Sequence, residues 1–285
     1  AQDVMACILP NGFEEERNME LQELYRLIGL EPEMVMILER TGSELDVGPI
    51  SVLLERLTDR DTAQEAYEEL CSCLSEDENH IKMLYCQLEC ARRTAAKYRE
   101  KQIPMEIFTD TMKCFSRFLE ECRVKNGRMF FDRGWWTWRQ ISMRIFRIGE
   151  LEYELLEGSE PSVGIHIPSD ADLSRAAVDE SLRQAGTFLE RHYPQYSGGS
   201  FACESWLLSP ALRPLLPENS NIRAFQDRFR IVQEHREDTG YMEWLFRVPS
   251  NTKAQDLPEQ TGLQKRAKQV ILDGGLIGAA EGILV

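Results

Sequence analysis

The stretch VGIHIPSDADLSRAAVDESL, residues 163–182, ends a short apolar run at His166 and Pro168 and passes through two aspartates into a helical pattern. Strands that end this way at the mouth of a helix are places where α/β proteins bind phosphate or carry out acid–base chemistry. His166 is the natural proton acceptor there, because an unperturbed imidazole titrates near neutrality. The other reading is a satisfied structural histidine. Glu204 stands in FACESWLLSP, where an acid in an apolar run is conspicuous; it is either a base of raised pKa or the partner of an arginine from WRQISMRIFR. Cys203 beside it reads as core. Ser169, Asp170 and Ser174 can each cap the following helix by accepting its free N–H groups.

The elements that must hold these residues fall into two halves. Residues 1–125 are expected to form a helical N-terminal domain, read as helix almost throughout from residue 13. HIKMLYCQLECARRTAAKYRE sets Ile81, Leu84, Tyr85 and Leu88 on one stripe, and MEIFTDTMKCFSRFLEECR does the same with Ile107, Met112, Phe115 and Leu119. No catalytic spacing appears among them, so this half supplies a wall, a lid or a partner surface.

Residues 126–285 are expected to form the second domain, after a turn at Asn126-Gly127. WTWRQISMRIF alternates Ile141, Met143 and Ile145 against polar neighbours, and ELEYELLE alternates Leu151, Tyr153 and Leu155 against glutamates. A three-residue loop with Gly149 at positive φ would set Ile145 opposite Leu151, Met143 opposite Tyr153 and Arg144 opposite Glu152. The third strand is residues 163–167, followed by a helix with Val178, Leu182, Ala185 and Leu189 on one face. A parallel strand follows at residues 201–208. RFRIVQEHRE and YMEWLFRV then read as a closing antiparallel hairpin, and VILDGGLIGAAEGILV as a docked terminal segment. Trp135, Trp136 and Trp138 read as packing where the sheet meets the helices, with a stacking platform as the alternative.

Composition narrows the function. A net charge of −15 argues against a nucleic-acid partner, which needs clustered Lys and Arg. The acid excess sits in the first half, so anionic ligands are better received by the second. No apolar run reaches the roughly 18–20 residues that span a bilayer, and the N-terminus has no basic start before an apolar core, so no membrane partner is expected. The cysteines at 7, 71, 73, 86, 90, 114, 122 and 203 follow helix faces, which fits a reduced, cytoplasmic interior. Cys71, Cys73, His80, Cys86 and Cys90 are close in sequence but lack paired Cys-x-x-Cys spacing, and no metal is expected.

The segments RGWWTWRQISMRIFRIGELEYEL, IHIPSDADLS, CESWLLSPALRPLLPENSNIRAFQDRF and MEWLFRV resemble those of bacterial GNAT-like acyltransferases with a helical N-terminal domain, over roughly residues 130–250. The strand order is similar to the GNAT core. The resemblance implies an α+β, α/β fold: a helical N-terminal domain followed by a mixed sheet flanked by helices. It also implies an acyl-CoA or acetyl-CoA donor lying between two splayed parallel strands, residues 163–167 and 201–208, and a small-molecule or peptide amine as acceptor.

The donor's pyrophosphate would meet the segment Ile167, Pro168, Ser169, Asp170, Ala171, Asp172, Leu173 and Ser174 at the helix N-terminus. Asn221, with Arg223 and Ala224, matches the family's Asn before Arg-Ala. His166 and Glu204 would then be the catalytic residues. Two departures stand out. PSDADLS replaces the glycine-rich phosphate loop, and an aspartate aimed at a pyrophosphate would be repelled by about 4 kcal/mol at 4 Å and an effective dielectric of 20. Arg228 occupies the place of the usual tyrosine acid. The competing function is a non-catalytic GNAT-like module that binds an acyl-CoA, a peptide or a protein. A structural homodimer built on the helical half is a third.

Overall fold

A computed structural model describes residues 18–74, 76–249 and 251–285. Cys7 and the expected helical residues 13–17 lie outside the described residues. The N-terminal half is helical: α1 (Leu21–Leu27), α2 (Pro32–Glu44), α3 (Ser51–Leu57), α4 (Ala63–Cys73), α5 (Ile81–Glu100), α6 (Met105–Met112) and α7 (Cys114–Asn126). Helix α5 is the axis of this half. Leu84 and Leu88 of its expected stripe are fully buried with Ala91, which extends it, and so are Cys86 and Cys90 on another face. Gly127, at φ +71°, stops α7 at the expected turn. The segment read as one helix over residues 105–123 is two, broken at Lys113.

Gly134–Ile141 is helix α8, not a strand. The alternation of Ile141, Met143 and Ile145 concealed a second pattern, Gly134, Thr137, Trp138 and Ile141, which is helical and is the face buried on α5. The Gln87 amide donates to the Gly134 carbonyl (2.9 Å) and the Thr94 hydroxyl to that of Ile141 (2.8 Å), which fixes α8 to the helical layer.

The sheet begins only at β1 (Ile145–Ile148), which pairs antiparallel with β2 (Leu151–Leu156). Gly149 has the expected positive φ, +61°, but Ile148 faces Leu151, Phe146 faces Tyr153 and Arg147 faces Glu152. The expected register fails because β1 and most of β2 are buried on both faces, so polar and apolar alternation does not define an outside. Strand β3 (Ser162–His166) pairs antiparallel with β2, and helix α9 (Arg175–His192) crosses one face of the sheet to β4 (Phe201–Ser205), parallel to β3. The Ser181 hydroxyl of α9 donates to the Ile148 carbonyl and is hydrogen-bonded to Tyr153 at 2.9 Å, which anchors the helix.

The last strands also differ from the expected hairpin. A short helix α10 (Asn221–Gln226) leads into β5 (Phe229–His235), but Tyr241–Phe246 is helix α11, with Tyr241 and Phe246 buried. The partner of β5 is β6 (Ala279–Leu284), which follows helix α12 (Gly262–Leu272) and inserts between β4 and β5. The sheet order is β1-β2-β3-β4-β6-β5. The terminal segment does dock, as a central strand. Gly278 admits it: its φ is +72°, and a Cβ there would lie 2.7 Å from the His235 carbonyl oxygen. Gly278→Ala is expected to lower stability by more than about 1 kcal/mol, read as a lower midpoint in urea denaturation.

Candidate functional site

Strands β3 and β4 pair only at Val163–Phe201 and Gly164–Ala202; their C-terminal ends, at His166 and Ser205, diverge. The alternation of side chains places Gly164, His166, Glu152 and Glu154 on the face opposite α9, and Ala202 and Glu204 continue that face across the gap. The N-terminal helices cover this face over β1 and β2. Beyond β3 it opens into a cleft of about 530 Å³ whose lining includes His166, Ile167, Pro168, Ser169, Glu204, Tyr241 and Glu243. Trp135, Trp136, Trp206 and Trp244, four of the chain's five tryptophans, also line it. A second cleft of about 360 Å³, lined by Lys125, Asp170 and Arg247 among others, shares Arg117, Glu121, Ser169, Glu243 and Trp244 with the first.

His166 is held by two contacts that the sequence did not reveal. Its Nε2 lies 2.8 Å from Glu154 Oε2, and the Trp136 ring stands edge-on to the imidazole at 4.8 Å between centroids. Trp136 is itself placed by its indole N–H, which donates to the Gln140 amide oxygen at 3.2 Å. Glu154 also meets Arg139 and Arg144, each at 3.4 Å. Burial works to raise the Glu154 pKa, but His166 and the two arginines outweigh it and hold the carboxyl below its ordinary value. A carboxylate kept ionised at Nε2 fixes the proton there and leaves Nδ1 as the ring's acceptor. The arrangement can therefore take a proton from a nucleophile.

Beside this pair, Glu152 accepts from Arg117 of α7 at 2.6 Å, with both side chains almost wholly buried. These two glutamates stand on the alternating positions that read as the solvent face of ELEYELLE. Their signal was Arg139, Arg144 and Arg147 in the neighbouring sequence, but Arg117, which holds Glu152, is distant in the chain.

Glu204 is exposed, at 63 %, and lies 3.6 Å from His235. Of its two readings, the arginine partner from WRQISMRIFR fails, since Arg139 and Arg144 are committed to Glu154 and Arg147 to Asp170. It shares the cleft with His166 but stands at the rim. The eight residues from Ile167 to Ser174 form the connection from β3 to α9. Ile167 and Leu173 pack on the core and Pro168 is buried.

The expected capping is also corrected. Ser174 is the N-cap residue of α9 but makes no side-chain cap bond. The Ser169 hydroxyl donates to Glu121, and the Ser174 hydroxyl to Asp172 at 2.9 Å. Ala171 only donates its N–H to the Pro168 carbonyl. Asp170 is drawn off to Arg147 at 2.9 Å, with Arg117 at 3.7 Å, and these cations overcome its burial and depress its pKa. The Asp170 charge is thus compensated, whereas Asp172 meets the Ser174 N–H and hydroxyl rather than a cation, and the first turn of α9 is left without a side-chain cap. Asn221 is exposed in the first turn of α10 and lines neither cleft. Arg228, in the place of the tyrosine acid, is bound to Asp179 and to the Arg175 carbonyl.

Helix α11 closes the cleft. Its Glu243 accepts from Lys125 of α7 at 2.7 Å and from Arg133, and Arg133 lies over the Trp244 ring at 5.3 Å. Burial would raise the Glu243 pKa; Lys125 and Arg133 more than reverse that. Among the described residues, no three His, Cys, Asp or Glu side chains converge as a metal site, and no helix is long and apolar enough to cross a membrane.

Two family models match in tandem. The N-acyltransferase N-terminal domain covers residues 19–143 and the GNAT-like C-terminal domain residues 145–284. No curated protein matches the chain. Among solved structures, an acyltransferase in complex with decanoyl-CoA and teicoplanin has the same fold at a TM-score of 0.68, with 21% identity over 93% of this chain and 99% of that one. An acyltransferase in complex with CoA and 10C-teicoplanin gives a TM-score of 0.69 at the same identity and coverage. The matched domains, the splayed parallel strands and the helical half in front of them show that the chain belongs to the GNAT-like acyltransferases with a helical N-terminal domain.

Proposed function

We propose that this protein transfers an acyl group from acyl-CoA to the amine of a small-molecule or peptide acceptor. The observation that carries the reading is the gap between β3 and β4, with His166 at its edge and a 530 Å³ cleft in front of it. The pantetheine arm lies in that gap. The pyrophosphate meets the first turn of α9, where N–H groups free of a side-chain cap and the helix dipole favour an anion; in the loop before it the N–H groups of Ala171, Asp172 and Ser174 are already given to Pro168, Glu150 and Asp172. His166, oriented by Glu154, takes the proton of the attacking amine. Glu204 faces it from the rim and attracts the acceptor's ammonium, which gives its extra proton to water before the neutral amine attacks.

The tryptophan-lined cleft favours a donor longer than acetyl, since aromatic walls gain by burying apolar surface. The solved acyltransferase with decanoyl-CoA supports the same choice, and its teicoplanin complex supports an acceptor of peptide character. The missing glycine-rich loop favours the second reading, a binder without turnover.

Thermal-shift measurements with acetyl-, octanoyl- and decanoyl-CoA test the donor site. A ligand at 100 times its Kd stabilises by about 2.7 kcal/mol, and the longer donors are expected to raise the melting temperature most. Failure of all three at millimolar concentration would remove the donor reading. Release of CoA thiol in the presence of a panel of amines, glycopeptides included, then separates an enzyme from a binder.

A further inference from the structure

Acyl transfer to an amine needs two proton movements: one off the attacking nitrogen and one onto the departing thiolate. His166 accounts for the first. In the C-terminal half, Arg228 is bound to Asp179, and Tyr241, which lines the cleft, is the competing donor that the test below separates.

Where the two clefts meet, the shared lining holds two carboxylates, Glu121 and Glu243. Glu243 is spent on Lys125 and Arg133. Glu121 is not. Its Oε1 accepts from the Ser169 hydroxyl, while Oε2 is buried with no hydrogen-bond partner among the described residues. A buried carboxylate oxygen without a donor is costly when ionised, and a carboxylic acid at that place has an O–H to give.

Resting on the acyl-transfer reading above, we infer that Glu121, presented by α7 of the helical half at the junction of the two clefts, is the catalytic acid that protonates the leaving thiolate. The amine nitrogen forms the C–N bond and gives its proton to His166 Nδ1. The C–S bond breaks, sulfur takes its electron pair, and the Glu121 proton passes to it, releasing free CoA thiol. Imidazolium and carboxylate then return to their starting states by exchange with water.

The groups facing Glu121 fit this task. Arg117 of the same helix is 3.7 Å away, too far for a hydrogen bond, Arg133 acts from the α7–α8 connection, and Ser169 and Asp170 from the loop after β3. Burial raises the Glu121 pKa above its ordinary value against the pull of Ser169 and the two arginines. The helical half thus contributes to the chemistry as well as to the wall.

The test is the pH dependence of CoA-thiol release by the full chain, with decanoyl-CoA as donor and the best amine of the panel. Wild type is expected to give a bell whose high-pH limb reports loss of the Glu121 proton. Glu121→Gln keeps an acceptor for Ser169. It is expected to lower kcat by roughly 10²-fold, the low end for general acid–base catalysis, to leave KM for the donor within about twofold, and to abolish the high-pH limb. A variant that keeps the limb and the wild-type kcat overturns the inference. So does loss of the limb in Tyr241→Phe instead. Absence of turnover by wild type with every donor and amine overturns the acyl-transfer reading, and this inference with it.

Discussion

Replacing His166 by glutamine is expected to lower the rate of CoA-thiol release by roughly 10²–10⁴-fold, the range that general acid–base groups contribute. Glutamine can still donate to Glu154, so the fold around the 2.8 Å contact is kept while the proton acceptor is lost. The substitution should leave binding of acyl-CoA unchanged, as seen in thermal shift, because the donor is held elsewhere in the gap. The orienting carboxylate is separable: Glu154→Gln keeps the imidazole but removes the charge that fixes its proton on Nε2, and a smaller loss of kcat with a shifted low-pH limb is expected. Turnover by His166→Gln at the wild-type rate would remove His166 from the mechanism.

Arg117→Met is expected to destabilise the protein by roughly 3–5 kcal/mol, measured by urea denaturation. The reason is the carboxylate left behind. Glu152 is 3 % exposed, and its hydrogen bond from Arg117 at 2.6 Å compensates the cost of burying its charge. Asp170 suffers less, since Arg147 remains at 2.9 Å. Removing both charges, in Arg117→Met/Glu152→Gln, should recover more than half of the loss, because a neutral amide is far cheaper to bury than an orphaned charge. Equal destabilisation of the single and the double variant would show that the contact of the guanidinium with the Phe118 ring, 4.9 Å to its centroid, rather than the orphaned carboxylate, sets the cost.

The strand, helix and parallel strand around residues 162–205 were legible because each has a strong local signal: a short apolar run, one striped face, a second apolar run. The face of α9 is the clearest case, with Val178, Ala185 and Leu189 buried as their spacing predicts. His166 was legible as a chemical type at a strand end. What holds it was not. Glu152 and Glu154 alternate with apolar residues as a solvent face would, and only folding brings Arg117 from α7 and Arg139 from α8 to their side. Helix α8 was missed because three apolar residues at spacing two masked four at helical spacing. Glu121 sits in a segment whose pattern speaks only of a helix, and its place at the cleft follows from the docking of α7 beside the loop after β3. The last strand was misplaced because YMEWLF has the apolar content of a strand, while four of the eight residues of GAAEGILV are Gly or Ala and show no strand alternation.

That last strand governs the order in which the molecule can assemble. Strands β1, β2 and β3 are neighbours in sequence and in space, so hairpin contacts can build them early. Among the described residues, strand β5 pairs in the sheet only with β6, and one edge of β4 is likewise satisfied only by β6. Both must wait for a segment that returns after α11 and α12, a long loop closure before any pairing is gained. Until then two strand edges stand open to other chains. The β4 and α11 side of the cleft therefore matures as one late, non-local step, and its unfinished edges are where a crowded or heated chain is most exposed to aggregation.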